Sequence, residues 1–292
     1  MTHQTFAGPH STIIHGDALE VLNEDIADQS LDLVFADPPY NIGKRFANFI
    51  DRWPSEAEYA KWCERWLVLC IRKLKSTGSL YLMSSTQCMP HLDLLLRDQV
   101  HVLSRIVWHY DSSGVQAKGY FGSMYEPILF CVKDPEAYTF NAAEIMVEAK
   151  TGAQRKLIDY RKPTPTQYST TKVPGNVWYF PRVRYRMPEY EDHPSQKPEA
   201  LLDRIIRASS REGDLILDPF AGTFTTNAVS QKLGRRSIGI ERELDYVKIG
   251  LRRLEIRNNL NGEPLVPLDK TYVRKNGKHK TKQTVTAQAE LF

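Results

Sequence analysis

Residues 214–243 read DLILDPFAGTFTTNAVSQKLGRRSIGIERE. An apolar run ends at Asp218, a glycine-containing turn follows at 220–223, helical spacing holds from about Thr225 to Leu233, and a second apolar run ends at Glu241. Strand, turn, helix and strand make the opening unit of a nucleotide-type site. In such a site a glycine lets backbone approach the ligand, and an acid ending the second strand accepts both ribose hydroxyls. Glu241 follows Gly222 by 241 − 222 = 19 residues, against an expected separation of about 20. The turn is GTFTT rather than GxGxxG, and Asp218 stands beside it. A neutral or cationic nucleoside therefore suits the site better than a pyrophosphate.

Outward from this unit, apolar runs bounded by turn signals recur at 12–17, 31–39, 78–85, 101–110, 125–132, 214–220 and 235–241. Helical patterns separate several of them, notably 55–75 and 198–210. In the first, Ser55 and Glu58 form a capping box, and Tyr59, Trp62, Cys63, Trp66 and Cys70 recur at helical spacing. Such alternation predicts an α/β fold: a mostly parallel, seven-stranded sheet with helices on both faces. Residues 133–192 break the pattern, being rich in Pro, Thr, Arg and Tyr without a long periodic segment. They read as an insertion that divides the sheet domain into 1–132 and 193–262, with a polar, basic and flexible tail at 263–292.

The second informative stretch is SLDLVFADPPYNIGKRF, residues 30–46. Asp37, Pro38, Pro39 and Tyr40 follow an apolar strand, which puts them at the carboxyl edge of the sheet, where open α/β folds bind ligands. The two prolines hold the chain extended, so the Asp37 carboxylate and the Pro38 carbonyl aim at one amino group. Tyr40 offers a face for a base to stack on. Two acceptors and a ring describe a clamp for the exocyclic amine of a nucleobase, whose lone pair is delocalised and needs help to attack. The segment after Tyr40, NIGKRFANFIDRW, contains Gly43 and several aromatics and is expected to be a mobile flap over the base.

Composition narrows the class. The chain has 292 residues, a net charge of +4 and four cysteines. Cys63 and Cys70 fall on the buried face of a helix, Cys88 and Cys131 stand alone, and no CxxC or His/Cys cluster suggests a metal. No apolar run approaches the roughly 18 residues of a membrane span, and nothing at the N-terminus reads as a signal peptide. The expectation is a soluble cytoplasmic protein with no membrane partner and no required metal, as a monomer or homodimer.

With DPPY first and DPFAG last, the chain resembles the permuted β-group of the amino-methyltransferases that act on DNA and use S-adenosylmethionine. The likeness runs from His15 to about Leu254 and includes HGDALEVL, LKSTGSLYL, SRIVWHYDSSG, GSMYEPILF and HPSQKPEAL. It implies a Rossmann-like class I methyltransferase, with Asp37, Pro38, Pro39 and Tyr40 at the target base. It also implies Asp17, Lys197, Asp218, Phe220, Ala221, Gly222, Thr223 and Glu241 at the cofactor. The family's second glycine, as in FxGxG, is Phe224 here. HPSQKP sets Ser195 and Lys197 near a helix N-terminus, where the cofactor's carboxylate is a natural guest; a plain helix cap has the same spacing.

The resemblance also assigns 133–192 to target recognition. There Arg155, Arg161, Lys172, Arg182, Arg184 and Arg186 interleave with Tyr160, Tyr168, Trp178, Tyr179 and Tyr185, as on a surface that meets phosphates and base edges of double-stranded DNA. Carbon methylation needs a cysteine nucleophile, and none of the four thiols adjoins a proline in a strand-end loop. The implied activity is methyl transfer to adenine N6 in specific DNA sites, by base flipping and direct attack, in a bacterial or phage-encoded enzyme working at the nucleoid. N4-cytosine transfer, an RNA or protein amino-methyltransferase, and an inactive DNA-binding relative are the alternatives.

Overall fold

The computed structural model describes residues 3–111, 118–150, 156–161 and 163–256, with the backbone of 259–260 and 263–264. Nine strands form the main sheet: β1 (Gln4–Ala7), β2 (Ser11–His15), β3 (Leu31–Ala36), β4 (Leu74–Met83), β5 (His101–His109), β6 (Tyr125–Val132), β7 (Val177–Tyr179), β8 (Leu215–Asp218) and β9 (Arg236–Glu241). Their order is β1-β2-β9-β8-β3-β4-β6-β5-β7, with β1 and β6 antiparallel to their neighbours and every other pairing parallel.

The seven expected strands are all present, and two more extend the sheet at its edges. Both additions are short. β1 buries only Phe6 and β7 only Trp178, too little for an alternating pattern to show in sequence. Because β7 pairs with β5, part of the 133–192 segment belongs to the sheet.

Among the described residues six α-helices cover the two faces: α1 (Ala18–Glu24), α2 (Glu56–Lys73), α3 (Met89–Arg97), α4 (Glu199–Ser209), α5 (Thr225–Lys232) and α6 (Leu244–Arg253). Side chains alternate along β3, as pleating requires. Val34 and Ala36 pack with Trp66 and Leu67 of α2, while Leu33 and Phe35 pack with Leu201 and Ile205 of α4. Burial on both faces explains why β3 reads as a continuous apolar run. The Ser55 side chain accepts from the Glu58 amide and starts α2, as the capping box predicts.

Topology then positions the site. The chain leaves β8 toward β9 on one side and leaves β3 toward β4 on the other. A crevice opens where the connections diverge, at the carboxyl ends of β3 and β8. Antiparallel β6 begins at this same edge, so Glu126 arrives beside the residues that end β3.

Candidate active site

A cavity of about 360 Å³ occupies the crevice, within the usual range for ligand sites of roughly 300–1,000 Å³. Asp37–Tyr40 form one wall and Asp218–Gly222 with Glu241 the other. The two motifs, 218 − 37 = 181 residues apart, thus face a common space.

On the β8 side, Gly222 takes φ +52°, and its amide donates to Glu241 Oε2 at 2.9 Å, while the Glu243 amide donates to Oε1 at 2.8 Å. A Cβ on Gly222 would sit 3.2 Å from His193 Nε2, so the glycine serves both its left-handed backbone and a close approach. Asp218 accepts from the Phe220 amide at 3.0 Å and from the Thr226 hydroxyl at 2.5 Å. Burial raises both acids, Asp218 to about 7 and Glu241 to about 7. Phe220 lies edge-on to Trp66 with centroids 4.9 Å apart. Ala221 donates to Ile240 O at 2.9 Å, and the Thr223 hydroxyl meets that of Thr225 at 3.0 Å. Asp17 lines the cavity and caps α1 by accepting from the Leu19 amide at 2.9 Å.

Phe224, where the resemblance predicts a glycine, has a left-handed backbone at φ 58° and is fully buried. Its ring fills space left by two other glycines. A Cβ on Gly239 would fall 2.7 Å from it, and one on Gly250 closer still. The ring thus packs beneath the glycine turn, with Val247 and Leu251 of α6 in the same cluster.

On the β3 side, the Tyr40 hydroxyl lies 2.5 Å from Asp37 Oδ1 and 3.0 Å from Glu126 Oε2. Lys197 Nζ lies 2.6 Å from Asp37 Oδ2, 3.7 Å from Glu126 Oε2 and 5.5 Å from the Tyr40 ring centroid. Burial raises the Asp37 pKa against the opposing pull of Lys197. For Lys197 burial works against the charge, but Asp37 and Glu126 outweigh it, and the ammonium is held above its usual range. His193, buried and close to Lys197 and Lys44, falls to about 3 and is neutral.

Lys197, expected at the cofactor's carboxylate, is therefore paired with Asp37. A buried ammonium takes a shielded carboxylate within reach, because leaving the charge alone costs more. Nor does the start of α4 lie open, since Glu189 Oε2 accepts from the Glu199 amide at 2.7 Å.

The segment after Tyr40 is pinned at several points. Arg45–Phe46 and Phe49–Ile50 form a short hairpin. Buried Asp51 accepts from the amides of Tyr40 and Lys44, Asn41 accepts from the Trp53 amide, and Asn48 donates to Glu243 at 2.8 Å.

The expected DNA-contacting residues are spread out. Arg184 donates to the Asp111 carbonyl at 3.2 Å, and Arg186 lies over the Tyr185 ring at 5.7 Å. Lys172 is exposed. Arg161, also exposed, is held by Asp159 through two hydrogen bonds of 2.8 and 3.0 Å. Arg182 turns inward over Tyr110, 5.1 Å from its centroid, and lines a second, smaller cavity beside Glu126 and Lys197. Arg155 and most of the basic tail lie outside the described residues.

Two residues of the site escape sequence reasoning, Glu126 and Asp51. Glu126 left one signal, a carboxylate inside the otherwise apolar run YEPILFCV. Asp51 left none.

This fold, with the glycine turn after β8 and the Asp37–Tyr40 strand end lining one cavity, is that of a class I methyltransferase. The DNA methylase family model N6_N4_Mtase matches residues 31–252. The chain is 56% identical over 272 residues to DNA adenine methyltransferase YhdJ of Escherichia coli (strain K12), covering 93% of this chain and 91% of that one. Among solved structures it resembles the cytosine-N4-specific PvuII DNA methyltransferase (TM-score 0.66, 17% identity, 89% of this chain and 92% of that one). It also resembles M1.HpyAVI in its SAM complex (TM-score 0.58, 22% identity, 84% and 98%). The protein belongs to the N6/N4 DNA methylase family.

Proposed function

We propose that the protein methylates adenine N6 in double-stranded DNA at a specific sequence, with S-adenosylmethionine as donor. The observation that carries the reading is the shared cavity, which Asp37–Tyr40 and Asp218–Gly222 line from adjoining strand ends. The cofactor supplies a sulfonium methyl group to the attacking nitrogen.

The residues fit that cofactor. Gly222 and Phe220 give its nucleoside a close backbone turn and a ring, Asp218 and Glu241 are buried acceptors, and no basic side chain lies in the 218–223 turn to ask for a phosphate. Thr223, Ala221 and Asp17 complete the wall, and Lys197 serves it indirectly by fixing Asp37.

At the target base, the Asp37 carboxylate and Pro38 carbonyl accept the amine's two hydrogens and draw its lone pair out of the ring. Tyr40 packs on the base face. Reaching the cavity requires the base to leave the duplex, and the 133–192 segment with Lys172, Arg184 and Arg186 supplies phosphate and base-edge contacts.

Purified protein, unmethylated DNA and S-adenosylmethionine, digested to nucleosides and read by mass spectrometry, test this. N6-methyldeoxyadenosine is expected, and absent with Asp37→Ala. N4-methyldeoxycytidine would overturn the base assignment.

A further inference from the structure

The hydrogen bonds around Tyr40 do not balance. Two carboxylate oxygens, Asp37 Oδ1 at 2.5 Å and Glu126 Oε2 at 3.0 Å, both face the Tyr40 hydroxyl, which has one proton to give. The chain Asp37, Tyr40, Glu126 therefore has two links and a single phenolic proton. Such a chain can take up one more at either end. The Tyr110 hydroxyl approaches Glu126 Oε1 at 3.4 Å, so the far carboxylate is also supported from β5's end.

Methyl transfer makes that extra proton. Once the amino nitrogen's lone pair binds the methyl carbon, the nitrogen carries a positive charge and must shed a hydrogen. Asp37 is its neighbour, yet Asp37 is largely shielded from solvent and tied to Lys197. A proton left there would break the 2.6 Å pair and block the next turnover.

We propose that Glu126 is the proton acceptor of the reaction, acting through Tyr40. The N–H bond of the methylated amine breaks and its proton passes to Asp37. Asp37 then gives a proton to the Tyr40 oxygen as Tyr40 gives its own to Glu126, where the new O–H bond forms. Asp37 is again a carboxylate and Tyr40 again neutral; Glu126 has changed from anion to acid, and charge is conserved. A polar cavity of about 40 Å³, lined by Glu126, Arg182 and Gln196, adjoins the far side. It is large enough for water, which carries the proton away.

The groups facing this chain are Lys197 before α4, Lys44 ahead of the hairpin, Asp51 after it, Asp218 at the end of β8, Arg182 from the inserted segment, Tyr110 after β5 and neutral His193. Burial lowers the pKa of Lys44 and of His193 and raises that of Tyr110 and of Asp218. Asp51 meets the Tyr40 amide, and the carboxylates on the Tyr40 hydroxyl are Asp37 and Glu126.

The inference rests on the proposed methylation for its purpose, and its test has one arm that does not. In the unliganded protein, carbon-13 NMR of the Asp37 carboxyl should show a two-step titration, since Asp37 and Glu126 share Tyr40. Glu126→Gln should remove one step, Asp218→Asn should leave that step in place, and Tyr40→Phe should weaken the coupling. In the second arm, Glu126→Gln should slow single-turnover methylation about a hundredfold, remove one ionisation from the pH–rate profile, and leave cofactor and DNA affinity within about twofold. A single-step wild-type titration unchanged by Glu126→Gln, or wild-type turnover in that variant, overturns the relay. So does a rate loss matched by equal loss of binding, which marks a structural role. A wild-type enzyme that makes no N6-methyldeoxyadenosine sinks the methylation reading instead, while the titration still decides whether the relay exists.

Discussion

Lys197 Nζ, itself buried, lies 2.6 Å from Asp37 Oδ2 at the cavity wall. The bond joins HPSQKP to DPPY across 197 − 37 = 160 residues and favours the charged form of the carboxylate in the proposed target-base site. The two motifs are parts of one electrostatic unit.

Lys197→Met should therefore act on both stability and pH dependence. It leaves the mostly shielded Asp37 without its cation, which costs up to about 3 kcal/mol in urea unfolding. Burial already raises Asp37, and without Lys197 it rises further. The ionised fraction at a given pH falls, so the acidic limb of the pH–rate profile should move to higher pH. An unmoved limb would separate Lys197 from the chemistry.

Asp37→Ala should lower turnover by at least about a hundredfold, the scale for one lost polar contact to a transition state. Cofactor affinity should stay near wild type, because Asp218, Gly222 and Glu241 remain. Calorimetry with S-adenosylmethionine and a methylation assay on the same preparation check both halves.

Asp218 and Glu241 give a second pH effect. Burial raises their pKa from 3.8 and 4.5 to about 7. Between these values the unfolded chain has lost protons that the folded chain keeps, so their stabilisation is complete at low pH and is lost as pH rises through about 7. Urea midpoints across this window should fall with pH, and less steeply in Asp218→Asn.

Phe224 and Gly250 should couple. Gly250→Ala drives a methyl into the Phe224 ring and should cost about 1–3 kcal/mol. Phe224→Gly relieves a left-handed backbone but empties a buried site, at about 3–5 kcal/mol for the lost ring. The double variant should lose less than the sum, because the new methyl enters vacated space. Additive losses in a double-mutant cycle would show that the ring does not fill the space Gly250 leaves.

Arg184 and Arg186 replaced together by Ala should weaken DNA binding and flatten its salt dependence by about 0.9 per lost phosphate contact. Arg182→Ala should behave differently, since Arg182 faces Tyr110 and the inner cavity. It should reduce turnover more than it changes the salt slope. Fluorescence anisotropy against salt concentration distinguishes them.

By itself the sequence determined the α/β class, seven strands of the sheet, and two motifs at strand ends. Buried strands and amphipathic helices write themselves as apolar runs with a fixed period, and the prolines and glycines that end them act within a few residues. Edge strands β1 and β7 bury one side chain each and leave no such trace. Only the tertiary structure decided that β3 and β8 are neighbours, that Lys197 serves Asp37, that Glu126 shares Tyr40, and that Gly239 and Gly250 make room for Phe224. Each of these is a contact between residues far apart in the chain. Strand order and burial fix such contacts, and no local periodicity encodes them.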